Sequence, residues 1–306
     1  MTKTKITTSA KVPQFSIGGD PEIFLTNAAG EIMSSIPVLK HDKYDPIVLD
    51  ASKEIKLYAD NSLAEMAFAP SYNKKDFVET YRQAMQKAQS HLGKGFRLKI
   101  QSAHYFKENE LEAAFGIDPL QVGCNPEYSH WRKEVNELGA FENTMRSGSS
   151  HVHVGHPLLE DHDNKGRALA VIEVFLGCSS ILWDNDKSSL ERRKKYGKSG
   201  SFRPTGYGFE TRFMSNYMLN SPKLVELTYD LIEYSLSHIF NNTDEKVMKS
   251  VNIEDVQNAI NNCDKALAEK VLTQAGLPEN LFARVKEQAA KKYSTKDFYS
   301  NWKIKI

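Results

Sequence analysis

Chemically reactive side chains recur at two-residue spacing in separate segments of this chain. The segments are 18–24 (GGDPEIF), 60–66 (DNSLAEM), 149–155 (SSHVHVG) and 208–213 (GFETRF). In a β-strand, residues i and i+2 point to the same face of the sheet. The first, third and fourth segments therefore predict strands whose chemically reactive residues share one face, and the second predicts a turn that leads into a strand.

The residues that share a face are mainly acids, histidines and an arginine. They are Asp20 with Glu22, His151 with His153, and Glu210 with Arg212, while Asp60 and Glu65 stand at the two ends of the second segment. Hard divalent cations such as magnesium prefer carboxylate oxygens and keep positions open for phosphate and water. The acids with one imidazole would suit several such ions, and Arg212 could hold a phosphoryl group through two parallel hydrogen bonds.

A basic, glycine-containing stretch precedes the fourth segment. It covers 192–204 and reads RRKKYGKSGSFRP. Glycines let a backbone approach a ligand closely, and Lys198 and Arg203 are placed to meet a polyphosphate. The stretch therefore predicts a phosphate-binding loop that leads into a strand.

Each motif alone also has an ordinary structural explanation. The first two segments begin like turns, and a histidine pair on a strand can be exposed and inert. An E-x-R pair is usually a surface ion pair, which would leave Arg212 with little influence on stability. The run 192–195 is typical of a solvated face. Several same-face pairs in one chain are hard to obtain from surface decoration, which favours the functional interpretation.

The other periodicities predict a mixture of strands and helices. Strands are expected at 14–26, 31–37, 58–69, 96–105, 150–155 and 206–214, and helices at 74–93, 166–183 and 221–240. Short polar strands favour an antiparallel sheet with one open face over a parallel sheet. Residues 241–306 are rich in charged and amide side chains and predict helices. The expected fold class is α+β, with helices on one face of a mostly antiparallel sheet and a C-terminal helical extension.

Composition narrows the class of protein. Lys+Arg (40) and Asp+Glu (39) nearly balance, so the net charge of +1 does not indicate nucleic acid as a partner. The apolar stretch 168–183 contains Glu173, so it predicts a buried helix with a hydrogen-bonded core acid and no membrane span. Three separated cysteines and a polar N-terminus without an apolar signal region indicate a cytoplasmic protein.

The motifs GGDPEIF, DNSLAEM, RSGSSHVHVG and YGKSGSFRPTGYGFETRFMSN together resemble those of the phage-type amidoligases. These type 2 carboxylate–amine ligases belong to the superfamily of glutamine synthetase and glutamate–cysteine ligase. The resemblance covers 14–240 and implies that these residues form a ligase domain with a glutamine synthetase-like curved antiparallel sheet, followed by the extension 241–306. One difference is that Asp20 with Glu22 replaces the Glu-x-Glu pair of the family. A phage-encoded chain would act in the host cytoplasm.

The resemblance implies an activity that depends on ATP and Mg²⁺, with Mn²⁺ as an alternative ion. A small-molecule or peptide carboxylate would attack the γ-phosphate of ATP to give an acyl phosphate. An amine would then attack the acyl carbon and release phosphate, leaving an amide.

The resemblance also implies roles for individual residues. The implied metal ligands are Asp20, Glu22, Glu65, His151 and Glu210, with Asp60 as a further candidate. His153 would lie near the substrate carboxylate or phosphate. Arg203 and Arg212 would stabilise the phosphoryl group and, with Lys198, contact ATP. Arg146 and Ser149, in the loop that leads to His151, would bind the acid or the amine.

Three other functions fit parts of the same pattern. A guanidino kinase would use the same fold and the same groups but stop at phosphoryl transfer. A zinc hydrolase would use His151 and His153 with a third ligand and no ATP. A non-catalytic protein would bind nucleic acid or a protein partner through the basic run or the C-terminal helices. The number of acids, together with Arg203 and Arg212, favours ATP chemistry over a zinc site.

Overall fold

The strands of this protein pair in antiparallel fashion. A computed structural model describes residues 12–111, 127–135 and 144–305, so the N-terminus and Cys124 lie outside the described residues. The strands are β1 Ser16–Thr26, β2 Ile32–Met33, β3 Ile47–Asp50, β4 Ile55–Asp60, β5 Leu63–Ala67, β6 Arg97–Lys99, β7 Ala103–Tyr105, β8 Tyr128–Ser129, β9 Glu134–Val135, β10 Met145–Ser147, β11 Ser150–Gly155, β12 Ser201–Thr205 and β13 Gly208–Thr211. Within the described ranges every strand pair is antiparallel, which confirms the expected α+β architecture.

Eleven of these strands form one sheet. Its order is β3-β4-β5-β1-β11-β13-β12-β8-β9, and β2 and β6 also pair with β1. The strands β7 and β10 form a separate two-stranded sheet. The four motif segments centre on β1, β5, β11 and β13, which are consecutive neighbours in the order β5-β1-β11-β13, and Asp60 ends the adjacent β4. The sheet therefore brings together residues that are far apart in the sequence.

Helices make up much of the rest of the described chain. They are α1 Ile36–Leu39, α2 Lys74–Leu92, α3 His162–Ile172, α4 Cys178–Trp183, α5 Ser189–Lys195, α6 Pro222–Phe240, α7 Asp244–Ser250, α8 Ile253–Asn261, α9 Lys265–Gln274, α10 Glu279–Ala289 and α11 Thr295–Trp302. Helix α6 begins with a serine cap and a proline in its first turn. The Ser221 side chain accepts a hydrogen bond from the Lys223 amide, and Pro222 occupies the first turn. Asn73 caps α2 in the same way, accepting from the amide of Asp76.

Alternation along β1 separates the apolar core from the polar face. Ile23 and its same-face neighbours join the core, which also contains the buried side chains of α2 and α6. Gly19 lies on that face, and a Cβ at this position would collide with the hydroxyl of Tyr81 in α2. Glycine therefore lets the helix lie close to the sheet. Asp20 and Glu22 consequently point to the opposite face.

The expected single strand 58–69 is wrong, since the structure forms a hairpin there. The first strand ends at Asp60, Asn61 turns the chain with φ 51°, and the second strand begins at Leu63. Asparagine tolerates this left-handed conformation better than most residues. The hairpin places Asp60 and Glu65 on neighbouring strands instead of at two ends of one.

Two other expected strands are shorter than the sequence pattern predicts. The strand at 31–37 ends at Met33, and the chain then enters α1. The strand at 96–105 divides into β6 and β7, which belong to different sheets. Between them the Ser102 amide donates to Asp186 at 2.5 Å, so the backbone leaves the main sheet to pair with the segment before α5.

The most apolar helical run consists of α3, a π-bulge at Glu173–Gly177 and α4. By length and composition alone, His162–Trp183 could cross a membrane, but 89% of its apolar window is buried inside the protein. It is the core helix that the sequence predicts. Glu173 is fully buried and accepts hydrogen bonds from Trp131, Ser199 and Gly200, as a satisfied core acid should.

The C-terminal residues form helices, as expected, and their apolar side chains belong to the same core as the sheet. The indole of Trp302 donates to the Leu219 carbonyl, and the Tyr299 hydroxyl donates to Gln89 of α2. The last helix therefore packs against the first half of the chain. The division into domains after residue 240 stays a prediction.

Candidate active site

The strand register places the predicted site residues on one face of the central sheet. Asp20 lies opposite His151, and Glu22 lies opposite Glu65. Glu210 lies between His153 of β11 and Arg203 of β12 in the same way. Residues directly opposite each other in antiparallel strands have Cβ atoms about 5 Å apart, so their side chains can converge.

One group of possible metal donors consists of Asp20, His151 and Glu210. Their ligand atoms all lie within 4.8 Å of one another. Nδ1 of His151 is 3.5 Å from Oδ1 of Asp20 and 3.4 Å from Oε1 of Glu210. The histidine and the glutamate are each 2% exposed. This part of the site is therefore shielded from solvent.

A second group consists of Glu22, Asp60 and Glu65, again with ligand atoms within 4.8 Å of one another. Oε1 of Glu22 is 4.0 Å from Nδ1 of His151, so the two groups adjoin. The hydroxyl of Tyr58 donates to Oε1 of Glu65 at 2.9 Å. Three acids in one partly buried position repel one another unless protons or cations intervene.

The pKa values of the second group reflect this repulsion. Burial raises the pKa of Glu22 to about 7, and the nearby Asp60 and Asp20 also raise it, against the opposing effect of His151 and Arg212. Burial, followed by the repulsion of Asp60, Asp20 and Glu22, raises the pKa of Glu65 well above its usual range. Burial likewise raises the pKa of Asp60. Each of these carboxyls therefore holds a proton more tightly than an isolated acid does, and a cation has to compete with that proton.

Asp20 behaves in the opposite way. Burial alone would raise its pKa, but the imidazoles of His153 and His151 outweigh burial and lower the pKa below its usual range. Nε2 of His153 lies 3.2 Å from Oδ2 of Asp20. Oδ1 of Asp20 is buried and accepts no hydrogen bond from the described residues. A buried carboxylate oxygen without a donor, facing other acids and an imidazole, fits a metal ligand better than a structural acid.

The arginines of the site both contact Glu210. Nη1 of Arg203 is 3.0 Å from Oε2 of Glu210. Arg212 donates to Oε1 of Glu210 through Nη1 and to Oε1 of Glu127 through Nε, the latter at 3.1 Å. The side chain of Arg203 is 33% exposed, whereas that of Arg212 is 2% exposed. The expectation that Arg212 is a surface residue is wrong, because it lies beneath the acids and is enclosed by them.

His153 stands at the rim of the site. Its side chain is 23% exposed, and its Nδ1 lies 2.6 Å from the hydroxyl of Tyr207. Burial would lower the pKa of His153, but Asp20 and Glu210 raise it above its usual value. Tyr207 is 47% exposed and comes from the turn between β12 and β13. An acid-paired imidazole with a tyrosine beside it could bind an anionic or carbonyl oxygen of a substrate.

Three predicted residues lie outside this constellation of contacts. Lys198 is exposed, and within the described residues it makes no ion pair. Ser149 is fully buried, and its hydroxyl accepts from Arg192 at 2.9 Å. Arg146 is 4% exposed and donates to Oδ1 of Asn61, at the turn after Asp60, at 2.8 Å. Their roles in binding ATP or substrate stay predictions.

Sequence reasoning missed Tyr207, which contacts His153, and three further groups close to the acids. Tyr58 bonds Glu65, Glu127 bonds Arg212, and the Tyr196 hydroxyl bonds both Arg212 and His151. Tyr58 could have been found, because it precedes Asp60 by two residues and shares its face. Glu127 and Tyr196 carry no such signal.

Only part of the basic run 192–195 is the solvated face that its composition indicates, because Lys194 is exposed whereas the two arginines are not. Arg192 is fully buried and Arg193 is 3% exposed. Arg192 donates to the carbonyls of residues 212, 213 and 214 and to the hydroxyls of Ser147 and Ser149. The guanidinium therefore holds the end of β13 beside the loop that leads to His151, and it is unavailable to a nucleic acid.

A cavity of about 640 Å³ lies elsewhere, between the sheet edge and the helices α3 and α7. Aromatic side chains of Tyr128, Trp131 and Phe202 line part of it. None of the predicted metal, ATP or substrate residues lines this cavity. The site is instead identified by its donor atoms.

Comparisons with known proteins give no assignment. No family model matches the chain, and no curated protein matches its sequence. Among solved structures, a bifunctional glutathione synthetase from Pasteurella multocida aligns with 95% of this chain and 48% of its own length, at 12% identity and a TM-score of 0.41. This chain thus spans about half the length of that protein. A likeness this slight assigns neither a family nor a function.

Proposed function

We propose that this protein is an ATP-dependent ligase that joins a carboxylate to an amine. One observation carries the proposal: six acid and imidazole donors and two arginines converge on one face of an antiparallel sheet. The motif resemblance to the phage-type amidoligases supports a glutamine synthetase-like arrangement of residues 14–240. A cytoplasmic location and small-molecule or peptide substrates belong to the same proposal.

The donor set suits magnesium, with manganese as an alternative. Asp20, His151 and Glu210 would hold one ion, and Glu22, Asp60 and Glu65 would hold another. Oxygen donors dominate both groups, as hard cations prefer, and Oδ1 of Asp20 is buried without a donor. When bound, the ions would neutralise charge on the phosphates of ATP.

The side chains of the protein would then position the substrates and shield their charges. Arg203, the more exposed of the two arginines, is placed to contact the transferred phosphoryl group. Arg212 would keep Glu210 oriented from below. His153 is placed to donate a hydrogen bond to the substrate carboxylate or to the phosphate, with Tyr207 fixing its ring. Positioning and electrostatic complementarity of this kind can supply most of a phosphoryl-transfer rate enhancement.

The proposed reaction balances in two steps. A carboxylate oxygen of the acid forms a bond to the γ-phosphorus as the bond to the β–γ bridging oxygen breaks, giving an acyl phosphate and ADP. The amine nitrogen then bonds to the acyl carbon, phosphate leaves, and the amine loses one proton. A guanidino kinase would stop after transferring phosphate to a nitrogen, so the second step decides between the two functions.

The test is an ADP-release screen with ATP and Mg²⁺ over pools of acids and amines. We expect release that requires both an acid and an amine, and hydroxylamine in place of the amine should give a hydroxamate. The variant His153→Gln tests the proposed role of this imidazole. It keeps a polar side chain at the rim and should lower turnover. Rapid ADP release with a guanidino compound alone, with no hydroxamate from any acid, would support the kinase instead.

The effect of magnesium on stability should depend on pH. The folded pKa of Glu22, about 7, lies above that of an unfolded glutamate, so ionising this residue costs stability as pH rises toward neutrality. A bound ion removes that cost and has to displace protons below this pH. We therefore expect Mg²⁺ to raise the melting temperature more at pH 8 than at pH 6, measured by thermal unfolding.

The control for this prediction is Glu22→Gln, which cannot ionise. In that variant the gain from Mg²⁺ should be smaller and should change less between pH 6 and pH 8. A gain that is equal at both pH values in the unmodified protein would contradict the assignment of Glu22 as a ligand.

A further inference from the structure

Tyr196 is buried between two arginines directly behind the acids. It is 4% exposed, and its ring centre lies 5.2 Å from the guanidinium carbon of Arg192 and 5.4 Å from that of Arg212. A cation over the face of an aromatic ring is attracted by the negative charge of the ring's π electrons, so both arginines help to hold the Tyr196 ring in place. The position of the ring therefore does not depend on its hydroxyl alone.

The hydroxyl of Tyr196 contacts the far side of the His151 imidazole. It lies 3.2 Å from Nε2 of His151, and Nη2 of Arg212 donates to it. The other nitrogen of the imidazole, Nδ1, faces Asp20 and Glu210. Tyr196 and the acids thus contact opposite edges of the same ring.

The chemistry of imidazole gives this arrangement a consequence. A neutral histidine that binds a metal through Nδ1 carries its proton on Nε2, and that N–H needs an acceptor when it is buried. A tyrosine hydroxyl can accept from Nε2 in this form and donate to it in the other tautomer. Phenylalanine can do neither.

We infer that Tyr196 is a positioning residue that fixes the ring of His151 for a divalent cation bound at Nδ1. It acts on the site through His151 and does not touch the reacting atoms. The inference rests on the metal site of the proposed function, and it assigns a role to a residue that was not among the predicted site residues.

The backbone around Tyr196 supports this role. The Tyr196 amide donates to the Arg192 carbonyl at 2.8 Å, which ends α5 at this point. Gly197 follows with φ +65°, and a Cβ there would collide with the Arg192 guanidinium. Glycine therefore allows the chain to turn while Arg192 stays against the tyrosine ring.

The experiment measures Mn²⁺ affinity in Tyr196→Phe, from the electron paramagnetic resonance signal of free Mn²⁺. The substitution keeps the ring and its two cation contacts and removes only the hydroxyl. Loss of a hydrogen-bond partner of a metal-binding histidine typically weakens affinity about 10–100-fold, and we expect a loss in this range. Tyr229→Phe, at a buried tyrosine on the helical side of the sheet, is the matched control and should bind Mn²⁺ normally.

A thermodynamic cycle separates positioning from a general structural effect. In the background His151→Ala, adding Tyr196→Phe should cause little further loss of Mn²⁺ affinity, because the group through which Tyr196 acts is gone. Additive losses, or a Tyr196→Phe protein with a lower metal-free melting temperature and unchanged affinity, would overturn the inference. If the unmodified protein binds no Mn²⁺, the proposed metal site itself fails, and this result is recognised before any variant is compared.

Discussion

Replacing Arg212 with methionine is expected to lower the free energy of unfolding by about 3–5 kcal/mol and to abolish magnesium-dependent ADP release. The cause is burial. The Arg212 side chain is 2% exposed and bonds Glu210 and Glu127, whose side chains are 2% and 4% exposed. Removing Arg212 leaves Glu210 paired with Arg203 but takes from the buried Glu127 the arginine that it contacts, and a buried charge that loses its partner is costly. Urea unfolding followed by circular dichroism gives the loss.

The matched variant is Arg203→Met, because Arg203 bonds the same Glu210 with its side chain 33% exposed. Its effect on stability should be below about 1 kcal/mol, as for exposed ion pairs. Its effect on ADP release should still be on the order of a hundredfold, since it is the arginine that can meet developing charge. Equal stability losses in the two variants would contradict the burial argument.

A second substitution tests which buried carboxylate causes the loss of stability in the Arg212→Met protein. Glu127→Gln in the Arg212→Met background removes the carboxylate that contacted Arg212 but does not contact Arg203. We expect this double variant to regain part of the lost stability without regaining activity. No recovery would mean that Glu127 is neutralised by other groups.

The strand motifs were readable from the sequence because their spacing is a property of the local backbone. The bounds of β11, 150–155, follow from strict alternation of histidine and valine and were predicted correctly. Alternation also predicts that Asp20 and Glu22 share a face, as the structure shows through the burial of Ile23 behind them. Helix caps such as Ser221 are local in the same sense.

What the sequence could not reveal depends on contacts between distant segments. Arg212 and Arg192 look like surface arginines by local pattern, and both are buried because carbonyls and carboxylates from other segments of the chain surround them. A turn was expected at Asp60 and Asn61, but the full hairpin was missed because Leu63 keeps the apolar spacing of Leu57 and Ala59 across the turn. The helical packing of α11 on α2 also has no local signal.

Replacing Glu65 with glutamine is expected to stabilise the metal-free protein while removing its response to magnesium. Glu65 is 9% exposed, and burial and three neighbouring acids raise its pKa well above the usual range. The folded pKa exceeds the unfolded one, so ionisation of Glu65 costs stability as pH rises between the two values. Glutamine has the same shape, cannot ionise and still accepts the hydrogen bond from Tyr58.

The gain in the Glu65→Gln variant should therefore be absent in acid, where the carboxyl is protonated in both states, and should grow as pH rises. At pH 8 we expect the melting temperature to rise by at least ~2 °C, the shift that about 1 kcal/mol produces in a domain of more than 150 residues. Glu160→Gln, at an exposed glutamate, is the control and should change little.

With magnesium present, the unmodified protein should become more stable than the Glu65→Gln protein, which reverses their order without the ion. The unmodified protein gains from the ion because a cation neutralises the acids that repel one another, whereas the Glu65→Gln protein has lost one ligand and gains less. ADP release should fall by more than about a hundredfold, since even an indirect partner of a metal ligand costs up to this factor. A Glu65→Gln protein that is less stable than the unmodified one at pH 8 without metal would show that Glu65 is a structural acid. A Glu65→Gln protein that is more stable than the unmodified one without metal would mean that the fold keeps a destabilising carboxylate in place for the cation that it binds.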